Sequence, residues 1–319
     1  MKLLKMINLV RNESMKLFLR ISTWIMMAAF VLIIIAAGVI VKYNYKDSGK
    51  NVDWKAQIIQ QNEQYKKDLS QPGVSKPIKD QINRLYNINE YRLQHNLEPI
   101  AGNSLWGFVA GAASLTLIIT LFTIIIGGGS VANEFSTGTI KLLVIRPSRR
   151  WKILLSKYIT MLLYVVEMLV VLFIVSFLVG GVLFSFKGAS MPNLAFSNGK
   201  VVEQNMIVHI LSVYGYSCVS LIMMITLAFM ISTVFRSSSL AIGISIFLMF
   251  AGNTLVQLLA GYNWVKYILF ANTNLTQYTD GTPLVSGMTM KFSITVLIVY
   301  FIVFNLISWL GFIKRDVIA

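Results

Sequence analysis

Few side chains in this sequence are of a type and spacing suited to catalysis or to metal binding. Its two histidines, His95 and His209, lie far apart, and its single cysteine, Cys218, lies inside an apolar run. The sequence contains no Gly-x-x-x-x-Gly-Lys-Ser/Thr phosphate loop and no His-Glu-x-x-His zinc motif. We therefore expect that the chain is not an enzyme and that it binds no metal or cofactor of its own.

One acidic residue, Glu167, lies well inside the apolar run from Tyr158 to Phe186. An acid within a membrane span is costly and often marks a proton or substrate site. The alternative is a neutral glutamic acid that hydrogen-bonds to a neighbouring helix. No other charged residue accompanies Glu167 between Tyr158 and Phe186, so a proton relay has too few members. Glu167 is therefore a candidate intramembrane polar site.

The second concentration of polar chemistry is the stretch "NEFSTGTIKLLVIRPSRRWK", which lies between two apolar runs. Its spacing predicts a short amphipathic helix, a break at the proline and then the start of the next span. A basic loop that only fixes the membrane topology is the alternative.

The composition indicates a membrane protein. Of the 319 residues, 56% are hydrophobic and 13% are charged, and the mean hydropathy is +0.68; a soluble domain carries about 25% charged residues. A helix that crosses roughly 30 Å of hydrocarbon needs about 20 apolar residues, and six runs are long enough. We expect an all-α polytopic membrane protein with transmembrane helices at 23–42, 104–128, 153–185, 207–235, 240–260 and 291–313.

The segments between the spans also have predicted structures. Polar residues of the N-terminal segment recur at close to a 3.6-residue period, which predicts an amphipathic elbow helix at the membrane surface. Two helical patterns separated by "SQPGVSKP" predict an external helical hairpin. The full division is 1–22 elbow, 43–103 external hairpin, 129–152 coupling loop, 186–206 external loop, 236–239 short cytoplasmic loop, 261–290 external or re-entrant segment and 314–319 cytoplasmic tail.

Lysine and arginine set the predicted orientation. The net charge is +15, and basic residues concentrate in the N-terminal flank, in 141–157 and after the last span. Short loops rich in Lys and Arg stay on the cytoplasmic side, so we expect both termini there, in a multi-pass protein of a bacterial cell membrane. The lipid bilayer, and not nucleic acid, is the expected partner of these charges.

The segments "EFSTGTIKLL" and "RPSRRWKILLSK" resemble the first cytoplasmic loop of type-2 ABC transporter permeases, and "GFIKRDV" is similar to the ending of these proteins. The resemblance implies six spans, an N-terminal elbow and a coupling helix between spans two and three. It also implies that a separate ABC ATPase dimer holds ATP and Mg. The residues that the resemblance implies as contacts with this ATPase are Glu134, Phe135, Gly138, Thr139, Arg146, Pro147, Arg149 and Arg150, with Arg236 and Ser237 as a second cytoplasmic contact.

The function implied by this resemblance is that of an exporter permease. It would work as a dimer with itself or with a paralogue, and would move an amphipathic or hydrophobic substrate such as a peptide antibiotic, a drug or a lipid-like compound. Two alternatives remain open. The first is an ion-coupled secondary transporter that uses Glu167, although the two halves of the chain show no clear inverted repeat. The second is a non-transporting membrane sensor or anchor.

Overall fold

The structure is a computed structural model that describes residues 2–47, 53–71, 76–137, 149–186, 191–197, 199–279, 283, 285 and 287–313. Within these ranges it is almost entirely helical. The α-helices are α1 (Lys2–Phe18), α2 (Ile21–Asp47), α3 (Trp54–Ser70), α4 (Lys76–His95), α5 (Leu105–Ala112), α6 (Thr116–Ser136), α7 (Arg150–Phe184), α8 (Met206–Phe235), α9 (Ser238–Leu258), α10 (Leu269–Thr273) and α11 (Met290–Ile313). Short 3-10 turns occupy Ala113–Leu115, Asn263–Tyr267 and Leu275–Tyr278.

Six helical segments are long and apolar enough to cross a membrane, which confirms the predicted all-α polytopic architecture. They are Ile21–Asn44, Leu105–Ser136, Arg150–Phe184, Met206–Phe235, Ser238–Leu258 and Met290–Ile313. The second span is composite, because α5 continues through a 3-10 turn into α6. The chain therefore builds a bundle of apolar helices with charged segments at its two ends.

Successive spans place the connecting segments alternately at the two ends of the bundle. One end carries α3, α4 and the connections after α7 and α9, and is called the α3–α4 side. The other carries α1, the α6–α7 connection and the turn between α8 and α9, and is called the α1 side. The central helix is α8, which packs against α6, α7, α9 and α11. In its most apolar window 61% of residues are buried, against 17% in α2.

The glycines near the end of α6 allow helices to approach closely. A Cβ at Gly127 would lie 3.0 Å from the Ile225 side chain of α8, and one at Gly128 would lie 2.8 Å from the Ile242 side chain of α9. Small residues permit this contact between membrane helices. Residues 129–136, which we expected in the coupling loop, instead continue α6 to Ser136. The helix therefore continues eight residues past the predicted end of the span at residue 128, and its glycines serve close packing.

The α3–α4 side is built from elements that contact one another. Asn62 of α3 accepts a hydrogen bond from Asn89 of α4 at 3.1 Å. After α7, strand β1 (Asn193–Ser197) pairs antiparallel with β2 (Lys200–Gln204). Tyr91 of α4 donates to the Glu203 carboxylate of β2 at 3.2 Å. The segment predicted as a plain external loop therefore contains a β-hairpin that α4 covers.

The segment between α9 and α11 has a fixed fold. Asn272 is fully buried, and its amide donates to the carbonyls of Lys266 and Ile268 at 2.8 Å each. Ser293 of α11 donates to the Asn272 carbonyl oxygen at 2.6 Å and shares a 2.6 Å hydrogen bond with Tyr278. These bonds hold three short helical turns against the bundle, in the segment that the sequence predicts to be external or re-entrant.

Candidate functional site

Four charged side chains meet on the α1 side of the bundle. Lys157, near the start of α7, donates to Glu134 of α6 at 2.5 Å and to Glu13 of α1 at 2.7 Å. Lys16 of α1 lies 2.9 Å from Glu13 and 3.4 Å from Glu134. Glu13, Lys16, Glu134 and Lys157 are called the charge cluster below. They tie three helices together through two acids and two bases.

The charge cluster is largely removed from solvent. The side chain of Lys157 is 2% exposed, those of Glu134 and Glu13 are 11% and 12% exposed, and only Lys16 is 42% exposed. A buried charge is tolerated when it is paired and hydrogen-bonded, and removing one partner leaves the other uncompensated. The cluster therefore stabilises one arrangement of α1, α6 and α7 and penalises any arrangement that separates them.

The surroundings also shift the pKa values of the α1 members. Burial acts to raise the pKa of Glu13, but the Lys157 ammonium and then Lys16 outweigh it and hold that pKa below its usual value. Burial acts to lower the pKa of Lys16, and Glu13 followed by Glu134 raises it above its usual value. Attraction between opposite charges dominates at both residues. Both side chains consequently remain charged around neutral pH.

The last turn of α6 also contacts the other helices of this side. The Ala132 backbone amide donates to the Ser232 hydroxyl of α8 at 3.0 Å, and Ser238 of α9 donates to the side-chain carbonyl of Asn133. The ring of Phe135 packs edge-on against Phe312 of α11, with centroids 6.4 Å apart. A displacement of this turn would thus disturb contacts with α8, α9 and α11 as well as with α1 and α7.

Arg236 and Tyr158 complete these contacts. The Arg236 guanidinium lies 4.4 Å from the centre of the Phe135 ring, a distance that permits a cation–π interaction. Arg236 ends α8 in the left-handed conformation, with φ +54°. Tyr158 of α7 shares a 2.7 Å hydrogen bond with Thr226 of α8. The first turns of α7 are therefore joined both to the charge cluster and to the central helix.

The structure distributes the predicted contact residues unequally. Glu134 lies inside the charge cluster, and Phe135 lies beneath Arg236. Arg149 is exposed immediately before α7, and Arg150 is its first residue. Ser237 caps α9 by accepting a hydrogen bond from the Leu240 amide at 3.4 Å. The remaining four predicted residues, Gly138, Thr139, Arg146 and Pro147, lie outside the described residues.

Sequence reasoning missed the role of Glu13, Lys16 and Lys157. Glu13 carried a signal, because it is the only acid before Asp47 in a strongly basic segment. An isolated acid on a basic helix indicates an ion-pair partner nearby. Lys157 had been assigned to the basic flank that sets orientation, and nothing in its local sequence distinguishes a buried lysine from an exposed one.

Glu167 lies apart from these contacts, on the outer surface of α7. It is exposed, as are Leu163 and Val170 at 45% and 49% on the same surface. Within the described part of the chain, no hydrogen bond or salt bridge reaches its carboxyl group. The neighbouring-helix hydrogen bond considered above is therefore absent from this part of the chain.

The fold and the ion-paired helix ends define a multi-pass membrane protein with six spanning helices. The chain belongs to the family described as a protein of unknown function, DUF2705, whose profile matches residues 83–318. It is 44% identical over 315 residues to the uncharacterized protein YhcI of Bacillus subtilis strain 168, which covers 98% of this chain and 99% of the relative. It is 34% identical over 214 residues to the uncharacterized membrane protein YdbK of the same organism, which covers 66% of this chain and 82% of the relative.

Proposed function

We propose that this chain is the membrane-spanning permease subunit of an ABC exporter, driven by ATP that a separate ATPase dimer hydrolyses. Two permeases, identical or paralogous, would form the transport path. The observation that carries the proposal is the charge cluster, which joins α1 to the two helices that bracket residues 138–148. That bracketed segment contains most of the stretch that resembles a coupling helix, and the charge cluster joins the helices on either side of it.

The contacts suggest how a push on this segment would reach the membrane. A force on residues 138–148 acts on the end of α6 and the start of α7, which Lys157 and Glu134 hold together. Glu13 adds α1 to the same unit, and the Tyr158–Thr226 hydrogen bond passes the motion to α8. In this mechanism α1, α6 and α7 move as one body when the ATPase subunits close.

The burial of Glu134 changes the role we assign to it. The sequence made Glu134 a candidate contact residue, but two lysines of its own chain already pair with its carboxylate. Glu134 is better suited to positioning the coupling segment. The direct contacts are then proposed for Arg146, Arg149 and Arg150, of which Arg149 is exposed in the structure.

The same proposal assigns sides and surfaces. The α1 side is cytoplasmic, both termini lie there, and α1 is the elbow at the surface of the cell membrane. Ile7 and Met15 of α1 are 54% and 47% exposed while Leu17 is 5% exposed, so α1 presents apolar residues away from the bundle as well as toward it. A helix at the interface buries such residues among lipid headgroups and acyl chains.

Co-purification tests the proposal. We would isolate the tagged chain from its native membrane in mild detergent and identify its stoichiometric companions by mass spectrometry. The proposal expects an ATPase subunit with nucleotide-binding motifs, lost in Arg149→Glu/Arg150→Glu and retained in the matched charge reversal Lys200→Glu on the opposite side. A chain that purifies alone, and whose transport survives ATP depletion but not Glu167→Gln, would contradict it in favour of ion-coupled transport.

A further inference from the structure

A polar cavity lies between the spans on the α3–α4 side, and is called the polar chamber. It has a volume of about 520 Å3 and is bounded by the start of α6, the first half of α8, the end of α9 and residues 270–277. It lies far from the charge cluster, at the opposite end of α6 and α8. Its size falls within the range of small-molecule sites, about 300–1,000 Å3.

The described residues that line the polar chamber are largely polar, and none of them is charged. Hydroxyl and carboxamide side chains of Thr120, Ser217, Asn253, Gln257 and Asn274 contribute to it, together with the aromatic rings of Tyr216 and Phe270. Thr120 and Ser217 donate to carbonyls of their own helices at 2.8 and 3.0 Å. Their hydroxyl oxygens still present acceptors to the chamber.

Two carboxamides of the chamber have their hydrogen-bonding groups available. Asn253 and Gln257 lie one helical turn apart on α9 and are both exposed, and neither makes a hydrogen bond within the part of the chain that the structure describes. A carboxamide supplies two donors and an acceptor. Because both side chains are exposed, their donors and acceptors are accessible to a polar ligand in the chamber.

The opposite wall is rigid. Asn274 accepts hydrogen bonds from the amide and the hydroxyl of Thr276 at 3.2 and 2.6 Å, and Gln277 donates to the Ala271 carbonyl at 3.1 Å. The ring of Phe270 packs so closely on α9 that a Cβ at Gly252 would lie 2.4 Å from it. This wall of the chamber is therefore built from residues that hydrogen-bond to one another and pack on α9.

We infer that the polar chamber binds the uncharged, hydrogen-bonding part of a ligand, such as peptide groups or sugar hydroxyls, and discriminates against charged ones. The two carboxamides of α9 supply donors and acceptors for this part, and the rings of Tyr216 and Phe270 contact its apolar portion. Because none of the described lining residues is charged, an ionic ligand would lose its hydration without a counter-charge from them. This inference rests on the proposed function and specifies the substrate class of the exporter.

The test uses the full chain in lipid nanodiscs and measures the binding of fluorescent probes by anisotropy. The probes are an end-blocked tetra-alanine amide, the same peptide with a free carboxylate, and labelled maltose. We expect saturable binding of the neutral peptide, of maltose or of both, and binding of the carboxylate peptide at least 10-fold weaker. Asn253→Leu/Gln257→Leu should weaken neutral binding at least 10-fold, whereas Thr254→Val, a polar neighbour that does not line the chamber, should leave it unchanged.

Binding of the peptide alone or of maltose alone would support the inference. It would also show whether the ligand's hydrogen-bonding groups are peptide groups or sugar hydroxyls. The inference would be overturned if neither the neutral peptide nor maltose showed saturable binding. It would also be overturned if binding survived the double substitution. Disulfide formation between two copies of Asn253→Cys in a Cys218→Ser background would also overturn it, by showing that a second chain covers α9. No ATPase is needed for this assay, so its failure beside successful co-purification would leave the proposed function intact.

Discussion

Lys157 of α7 and Glu134 of α6 form a 2.5 Å ion pair. The pair joins the end of one span to the start of the next, on either side of residues 138–148. The pair is part of a cluster with α1, and the lysine is 2% exposed. The pair thus joins the two helices that flank the segment that resembles a coupling helix. The account predicts that disturbing the pair affects folding and coupling together, while disturbing exposed arginines affects only partner contact.

Removing the central cation should be strongly destabilising. Lys157→Met removes the cation that pairs with both Glu134 and Glu13, and breaking a buried ion pair in this way costs about 3–5 kcal/mol. The expected result is a large fall in the apparent Tm of the purified protein. Lys152→Met on the same helix loses only a cation–π contact with Trp151, which is worth about 0.5–1 kcal/mol. Equal Tm values for the two variants would contradict a structural role for the cluster.

The stability contributed by Glu13 should depend on pH in a defined direction. Its pKa in the folded chain lies below the ordinary 4.5, so its contribution is present above the unfolded value and is lost as the pH falls through the folded value. We expect Glu13→Gln to be less stable than the wild type at neutral pH. The difference should shrink as the pH falls below 4.5. Apparent Tm measured against pH for both proteins tests this, and a difference that grows on acidification would refute it.

Close helix packing at the end of α6 should not tolerate a side chain. In Gly128→Ala the new Cβ would meet Ile242 at 2.8 Å, and overpacking of this kind costs about 1–3 kcal/mol. Gly111→Ala in α5 places its Cβ where nothing lies within 4 Å. We therefore expect a lower apparent Tm for the first variant and an unchanged or higher one for the second. Indistinguishable Tm values would show that α6 and α9 are not packed as described.

Tyr158 and Thr226 should be energetically coupled. Tyr158→Phe and Thr226→Val each break the 2.7 Å hydrogen bond between α7 and α8, and such a bond contributes about 0.5–1.5 kcal/mol. Because each single variant removes the same interaction, the double variant should be less destabilised than the sum of the two. A double-mutant cycle measured by chemical unfolding would reveal this. If the two changes in the free energy of unfolding simply added, the two side chains would not interact.

The sequence predicts the six spans well because hydrocarbon imposes a length and an apolar composition that can be counted locally. It predicts the charge cluster poorly, because Glu13, Glu134 and Lys157 are far apart in the chain and meet only after the helices pack. The β-hairpin had a local signal that was overlooked. The Asn198-Gly199 dipeptide between short apolar runs is typical of a two-residue hairpin turn. The polar chamber could not be predicted, because four separate segments build it.

The central claim is that residues near the start of α7 contact a separate ATPase, and cross-linking in the native membrane tests it most directly. Arg149, exposed at the α1 side, would be replaced by the photoreactive p-benzoylphenylalanine, and Lys200 on the opposite side would be replaced in a matched control. The account predicts an ATPase with nucleotide-binding motifs in the cross-link from position 149 and none from position 200. Cross-links from position 149 to lipid alone, with no ATPase, would contradict it.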